Sequence, residues 1–139
     1  MFHCRSCEAA LSGVLLRLDD PAALTYSELV HLVPVGRYWP VAENHLPTSF
    51  AGVPVDFTGW YAVRPDALIG VGNHPDRARW VGCCGPSGTG GPNRVCRCGR
   101  AVGTERSDCM WPIVVYLDPQ AIRLVEPTVE AGAALNPPA

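Results

Sequence analysis

The chain of 139 residues has no lysine; all 11 of its basic side chains are arginine. Arginine, alanine, glycine and proline share GC-rich codons, so this bias reads first as genome composition. Selection for bidentate anion contacts is the second reading. Charge of either sign is scarce, at 17% of residues with a net charge of -2, which argues against a strongly basic nucleic-acid binder. Long apolar runs are missing too. The stretch from Leu11 to Leu16 is interrupted by Ser12 and Gly13 and stops at Arg17. It is too short for a signal-peptide core and far too short for a membrane span. The expectation is therefore a cytoplasmic protein whose thiols stay reduced, in which cysteine clusters are metal or redox sites and not disulfides. Catalytic signatures are absent as well: no nucleophile elbow, no HExxH, and no Cys/His dyad that spacing supports.

What is present is glycine, proline and cysteine. The 14 glycines and 14 prolines make up about a fifth of the chain, above the ordinary share and below the low-complexity range. Length suits one domain, predicted over residues 1–126, with 127–139 as a flexible tail. The expected fold is a small α+β one, mainly β, with long loops. Strands are predicted over Ala10–Leu18, Trp60–Val63, Ala67–Val71, Arg94–Cys96, Ala101–Glu105 and Ile113–Leu117, the last (IVVYL) most strongly. The segment Tyr26–Val33 fits a short helix or a strand, because its apolar positions do not settle the period. Ala121–Val125 fits a strand or one helical turn.

The seven cysteines carry the most information. Cys4-x2-Cys7 has the spacing of a zinc knuckle, in which two thiolates face one ion and nearby backbone N–H groups donate to the sulfurs. Later come Cys83-Cys84-Gly85, Cys96-Arg97-Cys98-Gly99 and Cys109. A glycine after the last cysteine of a pair suits a tight turn with positive φ, and Gly99 stands there.

The pair FHCRSCEAAL and RVCRCGRAVG resembles a zinc ribbon, in which two knuckles on hairpin turns clasp one ion. The resemblance spans residues 2–11 and 94–103, with CxCG in place of the usual CxxCG. It implies a structural zinc held by Cys4, Cys7, Cys96 and Cys98. Cys84 and Cys83 stand in reserve, either able to displace Cys96 or Cys98. The stretch GCCG…GPNRVCRCG…VGTERSDC also resembles a segment of bacterial proteins with no assigned activity, and so implies no reaction. Successive side chains of a strand point oppositely, so one of Cys83 and Cys84 is expected to be a buried small hydrophobe. Cys109, just before Met110-Trp111-Pro112, is expected to be a core residue. Four thiolates suit iron as well as zinc by spacing; zinc is the commoner cytosolic ion. Such a site has no open position for water, so it would stabilise the fold and catalyse nothing.

Other features are read more plainly. The loop Gly85–Gly91 (GPSGTGG) lacks the lysine of a phosphate-binding loop and reads as a connector. Arg94, Arg97 and Arg100, with Arg5 and Arg106, form a candidate anion or partner patch near the metal. Glu105 and Asp108 are an acid pair without a histidine beside them, and His3, His31, His45 and His74 are scattered. Tyr38-Trp39-Pro40 and Trp60-Tyr61 read as core plugs before partner surface. The function expected is a non-enzymatic adaptor domain with structural zinc, acting through another protein. An arginine-lined nucleic-acid ribbon and a thiol redox or metal-handling protein are the alternatives.

Overall fold

In the computed structural model the described residues are 1–42, 49–50, 53–54 and 56–125, with nothing said of the side chains of 49, 50, 53 and 54. His45 and the predicted tail over 127–139 lie outside them. The protein is mainly β. Among the described residues eleven short strands run in chain order: β1 (Phe2–Cys4), β2 (Leu16–Arg17), β3 (Arg37–Pro40), β4 (Ser49–Phe50), β5 (Val53–Pro54), β6 (Tyr61–Val63), β7 (Val71–Asn73), β8 (Arg94–Cys96), β9 (Ala101–Arg106), β10 (Val114–Leu117) and β11 (Ile122–Leu124). Seven form one sheet in the order β2-β3-β6-β10-β9-β8-β7; β1 pairs with β11, and β4 with β5. All pairings are antiparallel except β2 with β3.

The α part of the expectation has no counterpart among the described residues, whose helical segments are three 3₁₀ turns at Pro21–Ala23, Pro65–Ala67 and Arg77–Trp80. Proline opens the first two, and an aspartate side chain caps the first and third. Tyr26–Val33 is neither helix nor strand. Leu29 takes a left-handed φ of 58°, which breaks either regular form, and His31 makes only an isolated bridge to Ile113. Of the strand expected over Ala10–Leu18 only Leu16–Arg17 pairs regularly. Ala67–Val71 splits into a 3₁₀ turn and the start of β7, because Pro65 removes a ladder donor and Gly70 turns the chain at φ 64°.

The apolar run of β10 follows from its place at the sheet's centre. Val114 and Tyr116 enter one core with Leu24, Leu32, Trp39, Phe57 and Trp111. Val115 and Leu117 enter the opposite core with Phe2, Leu11, Tyr38, Val63 and Ile122. A strand buried on both faces needs no polar alternation. Phe57 stacks on Tyr116 at 4.2 Å, and Phe2 meets the edge of Tyr38 at 5.4 Å. Tyr38 and Trp39 are thus core residues on opposite faces, as their adjacency in a strand requires. The β1–β11 ribbon covers the second face, and Cys4 and Cys96 lie in that core.

Gly103 is where β9 meets β10 most tightly. A Cβ there would lie 2.7 Å from the Tyr116 carbonyl oxygen, which is backbone and cannot step aside. Gly103→Ala is expected to cost about 1–3 kcal/mol, the usual range for overpacking, seen as a lower urea midpoint at unchanged slope.

Candidate metal centre

Two turns build the first cysteine group. β1 ends at Cys4, whose carbonyl accepts from Glu8 N at 2.8 Å while its own N–H donates to Ala9 O at 2.9 Å. This closes the Cys4–Cys7 loop with Glu8 at φ 62°. Glu8 is held there by an ion pair with Arg123 on β11. β8 ends at Cys96, whose carbonyl accepts from Gly99 N at 2.8 Å; Gly99 has φ 92°, the left-handed region that glycine enters freely. Because Arg97 and Cys98 lie in the turn itself, Cys98 swings back beside Cys96 despite the short CxC spacing.

The four sulfurs converge. Cys4 Sγ lies 3.7 Å from Cys98 Sγ, Cys7 Sγ lies 3.5 Å from Cys96 Sγ, and all four fall within 4.8 Å of one another. A tetrahedral site with Zn–S bonds of ~2.3 Å sets its sulfurs about 3.8 Å apart, so the group fits such an ion. Cys4 and Cys96 are buried, and Cys7 and Cys98 exposed. Burial works against the Cys4 thiolate, but the backbone N–H groups of Cys7 and Ser6 and the Cys98 and Cys96 thiols outweigh it. They bring its pKa down to about 7 from the usual 9.0. Cys96 is pushed up to about 12, first by burial and then by the neighbouring thiols, against a backbone hydrogen bond from Cys98.

Cys83 and Cys84, the reserves, do not enter this group. They join Cys109 and Asp108 in a second one, within 4.8 Å of one another, which can also hold a metal ion. Here the structure corrects the expectation that one vicinal cysteine is buried and that Cys109 is core: Cys83 and Cys84 are both exposed and Cys109 is half-exposed. The physical reason is that residues 81–92 form a bent loop instead of a strand, so the alternation argument does not apply, and the two sulfurs sit 3.5 Å apart. Asp108 is buried, and its Oδ1 accepts from the N–H groups of Cys84 (2.9 Å) and Cys109 (2.8 Å). Burial opposes its charge, but those two bonds hold the carboxyl below its usual range. Cys109 is pushed up to about 12 by the thiols of Cys83 and Cys84. Its bond to Cys83 favours the Cys83 thiolate, yet Cys84, desolvation and Asp108 outweigh this and raise the Cys83 pKa. The sequence signal for this group was the triple Gly-Cys-Cys-Gly, Ser-Asp-Cys and an odd cysteine left over.

The arginines serve as straps. Arg94 pairs with Glu105 (3.3 Å) and donates to Asn73 Oδ1; Arg100 donates to Ser6 Oγ and Gln120 O, and Arg5 to Pro119 O. Arg97 is exposed, with its guanidinium over Gly70. The bonds of Arg5 and Arg100 tie the two knuckles to the turn before β11. Glu105 is occupied by Arg94 and Ser107 Oγ, and lies apart from the Asp108 group. His3 Nδ1–H donates to Glu8 O, and His74 Nδ1 accepts from Asp76 N in its turn, so neither histidine joins a sulfur group. The glycine-rich loop packs on Arg106 and the Arg77–Trp80 turn: a Cβ at Gly88 would fall 2.2 Å from Arg106 Cγ, and one at Gly90 would fall 2.6 Å from Ala78 O.

No protein-family model, curated protein or solved structure matches the chain. No helix among the described residues is long and apolar enough to cross a membrane.

Proposed function

We propose that the protein is a non-enzymatic adaptor domain whose Cys4–Cys7–Cys96–Cys98 group holds a structural zinc ion, in the manner of a zinc ribbon, and whose work is contact with another protein. The closed four-thiol arrangement carries this reading. With four protein ligands at tetrahedral spacing, no position is left for water or substrate, so the ion links the start of the chain to the β8–β9 turn and performs no hydrolysis. Protein contact is supported by the outer edge of β2. This strand pairs only with β3 among the described residues, and the apolar side chains Val14, Leu16 and Val35 beside it are 58%, 56% and 75% exposed. An open edge with apolar side chains suits the addition of a partner strand. The straps made by Arg5, Arg94 and Arg100 and the net charge of -2 do not favour the nucleic-acid alternative.

The reading is tested by crosslinking in the source cells, using wild type and a Leu16→Lys/Val35→Lys variant. The expected result is a partner protein crosslinked to wild type and lost in the variant, with folding and zinc content unchanged. A partner retained at full yield by the variant would reject the edge, and RNA recovered in place of protein would favour the nucleic-acid alternative.

A further inference from the structure

We infer that Cys83, Cys84, Cys109 and Asp108 form a second zinc site, open to solvent and exchanging its ion independently of the first group. Three separate features point there. The first is donor geometry. Cys83 Sγ lies 3.5 Å from Cys84 Sγ, 3.0 Å from Cys109 Sγ and 3.5 Å from Asp108 Oδ1. Tetrahedral zinc needs sulfurs about 3.8 Å apart and a sulfur–oxygen edge of about 3.5 Å, so small outward movements of exposed thiols complete the site.

The second feature is the cradle. The vicinal pair is bracketed by Gly82 and Gly85. A Cβ on Gly82 would fall 1.7 Å from Gly85 O and 2.7 Å from Asp108 Oδ2, and one on Gly85 would fall 2.9 Å from Ser107 O. Only glycine on both sides lets the loop fold tightly enough to set both thiols over Asp108.

The third feature is charge. Asp108 is 4% exposed, and among the described residues no arginine or histidine pairs with it. Its Oδ1 accepts from the N–H groups of Cys84 and Cys109, which keep it ionised, and a buried carboxylate held ionised beside three thiols suits a metal ion. Zinc supplies that cation. It enters as the hydrated dication, the three thiols release three protons to solvent, and the bound centre carries a net charge of -2. Two of its three sulfur ligands are exposed, whereas two of the four in the first group are buried, so a chelator reaches the second ion first.

The test is zinc per chain on intact protein dialysed against buffered zinc, with mass-spectrometric mapping of alkylated cysteines. Wild type is expected to hold two zinc ions, and a Cys83→Ser/Cys109→Ser variant one. Under a weak chelator, wild type is expected to lose one ion while Cys83, Cys84 and Cys109 become alkylated and Cys4, Cys7, Cys96 and Cys98 stay protected. The mapping needs no variant, so it decides the question even if the double substitution fails to fold. Rapid alkylation of the three cysteines in zinc-loaded wild type, or a Cys83–Cys109 disulfide with two hydrogens lost from the mass, would overturn the second site and leave the first untouched. Loss of the first site alone would show as alkylation of Cys4 and Cys7 with the second set protected.

Discussion

If the first group holds zinc as proposed, removing that ion is expected to unfold the protein, or nearly so. A structural zinc contributes on the order of 10–16 kcal/mol in small peptides, and whole domains are stable by about 5–15 kcal/mol. Cys4 and Cys96 are also buried members of the core that includes Phe2, Val63, Val102 and Ile122. Loss of the ion therefore removes the direct link between the Cys4–Cys7 turn and the β8–β9 turn, leaving β1 held by its pairing with β11 and by the bonds of Arg5 and Arg100. Cys4→Ser and Cys96→Ser are each expected to abolish cooperative thermal unfolding in calorimetry, and Cys7→Ser to lower the midpoint without abolishing it, because Cys7 is exposed. Acid acts in the same direction. In the metal-free group the Cys96 thiol keeps its proton to about 12 and Cys4 to about 7, so uptake of zinc must displace protons. The bound state carries fewer protons than the free one, so zinc affinity and stability are both expected to fall as pH drops from 8 to 5. A zinc content and melting profile flat across that range would contradict the clasp.

Arg106→Ala is expected to lower stability by about 2–4 kcal/mol, a drop in Tm of roughly 10 °C for a chain this size. Arg106 is the largest fully buried side chain among the described residues. Its guanidinium lies 4.0 Å over the Trp111 ring, and its Nε donates to Ser87 O at 3.1 Å. Neither Nη has a hydrogen-bond partner among the described residues, and burial lowers its pKa. Truncation removes the ring contact, worth about 2 kcal/mol when desolvated, and opens a cavity beneath the glycine-rich loop. Arg106→Met separates volume from charge. It fills much the same space without the cost of burying a cation, so it is expected to come within about 1 kcal/mol of wild type or to exceed it. A loss as large as that of Arg106→Ala would mean that the charge itself holds the loop. Urea unfolding of the three proteins decides the matter.

Local chemistry was legible in the chain. The knuckle turns, Gly99 and its positive φ, and the strands β8, β9 and β10 each depend on residues within a few positions of one another, so spacing and composition suffice for them. The grouping of Cys4 and Cys7 with Cys96 and Cys98 was implied by the resemblance to a zinc ribbon, and the fold brings the four sulfurs together. Other matters were decided only by tertiary structure. Whether Tyr26–Val33 is regular depended on the hydrogen bonds that Leu29 makes to Trp111 and that Val30 and Leu32 make to Ile113, each spanning about 80 positions. The roles of the arginines depended on partners such as Glu105, Ser6 and Pro119, which no local pattern names. Cys83 and Cys84 were misread because the strand rule assumes an extended chain, whereas Gly82 and Gly85 bend it over Asp108; Cys109 was misread from its apolar neighbours, of which Met110 is itself exposed. A sequence determines its turns by what each residue permits, but which side chains meet across the sheet is set by the global register, and register belongs to the folded whole.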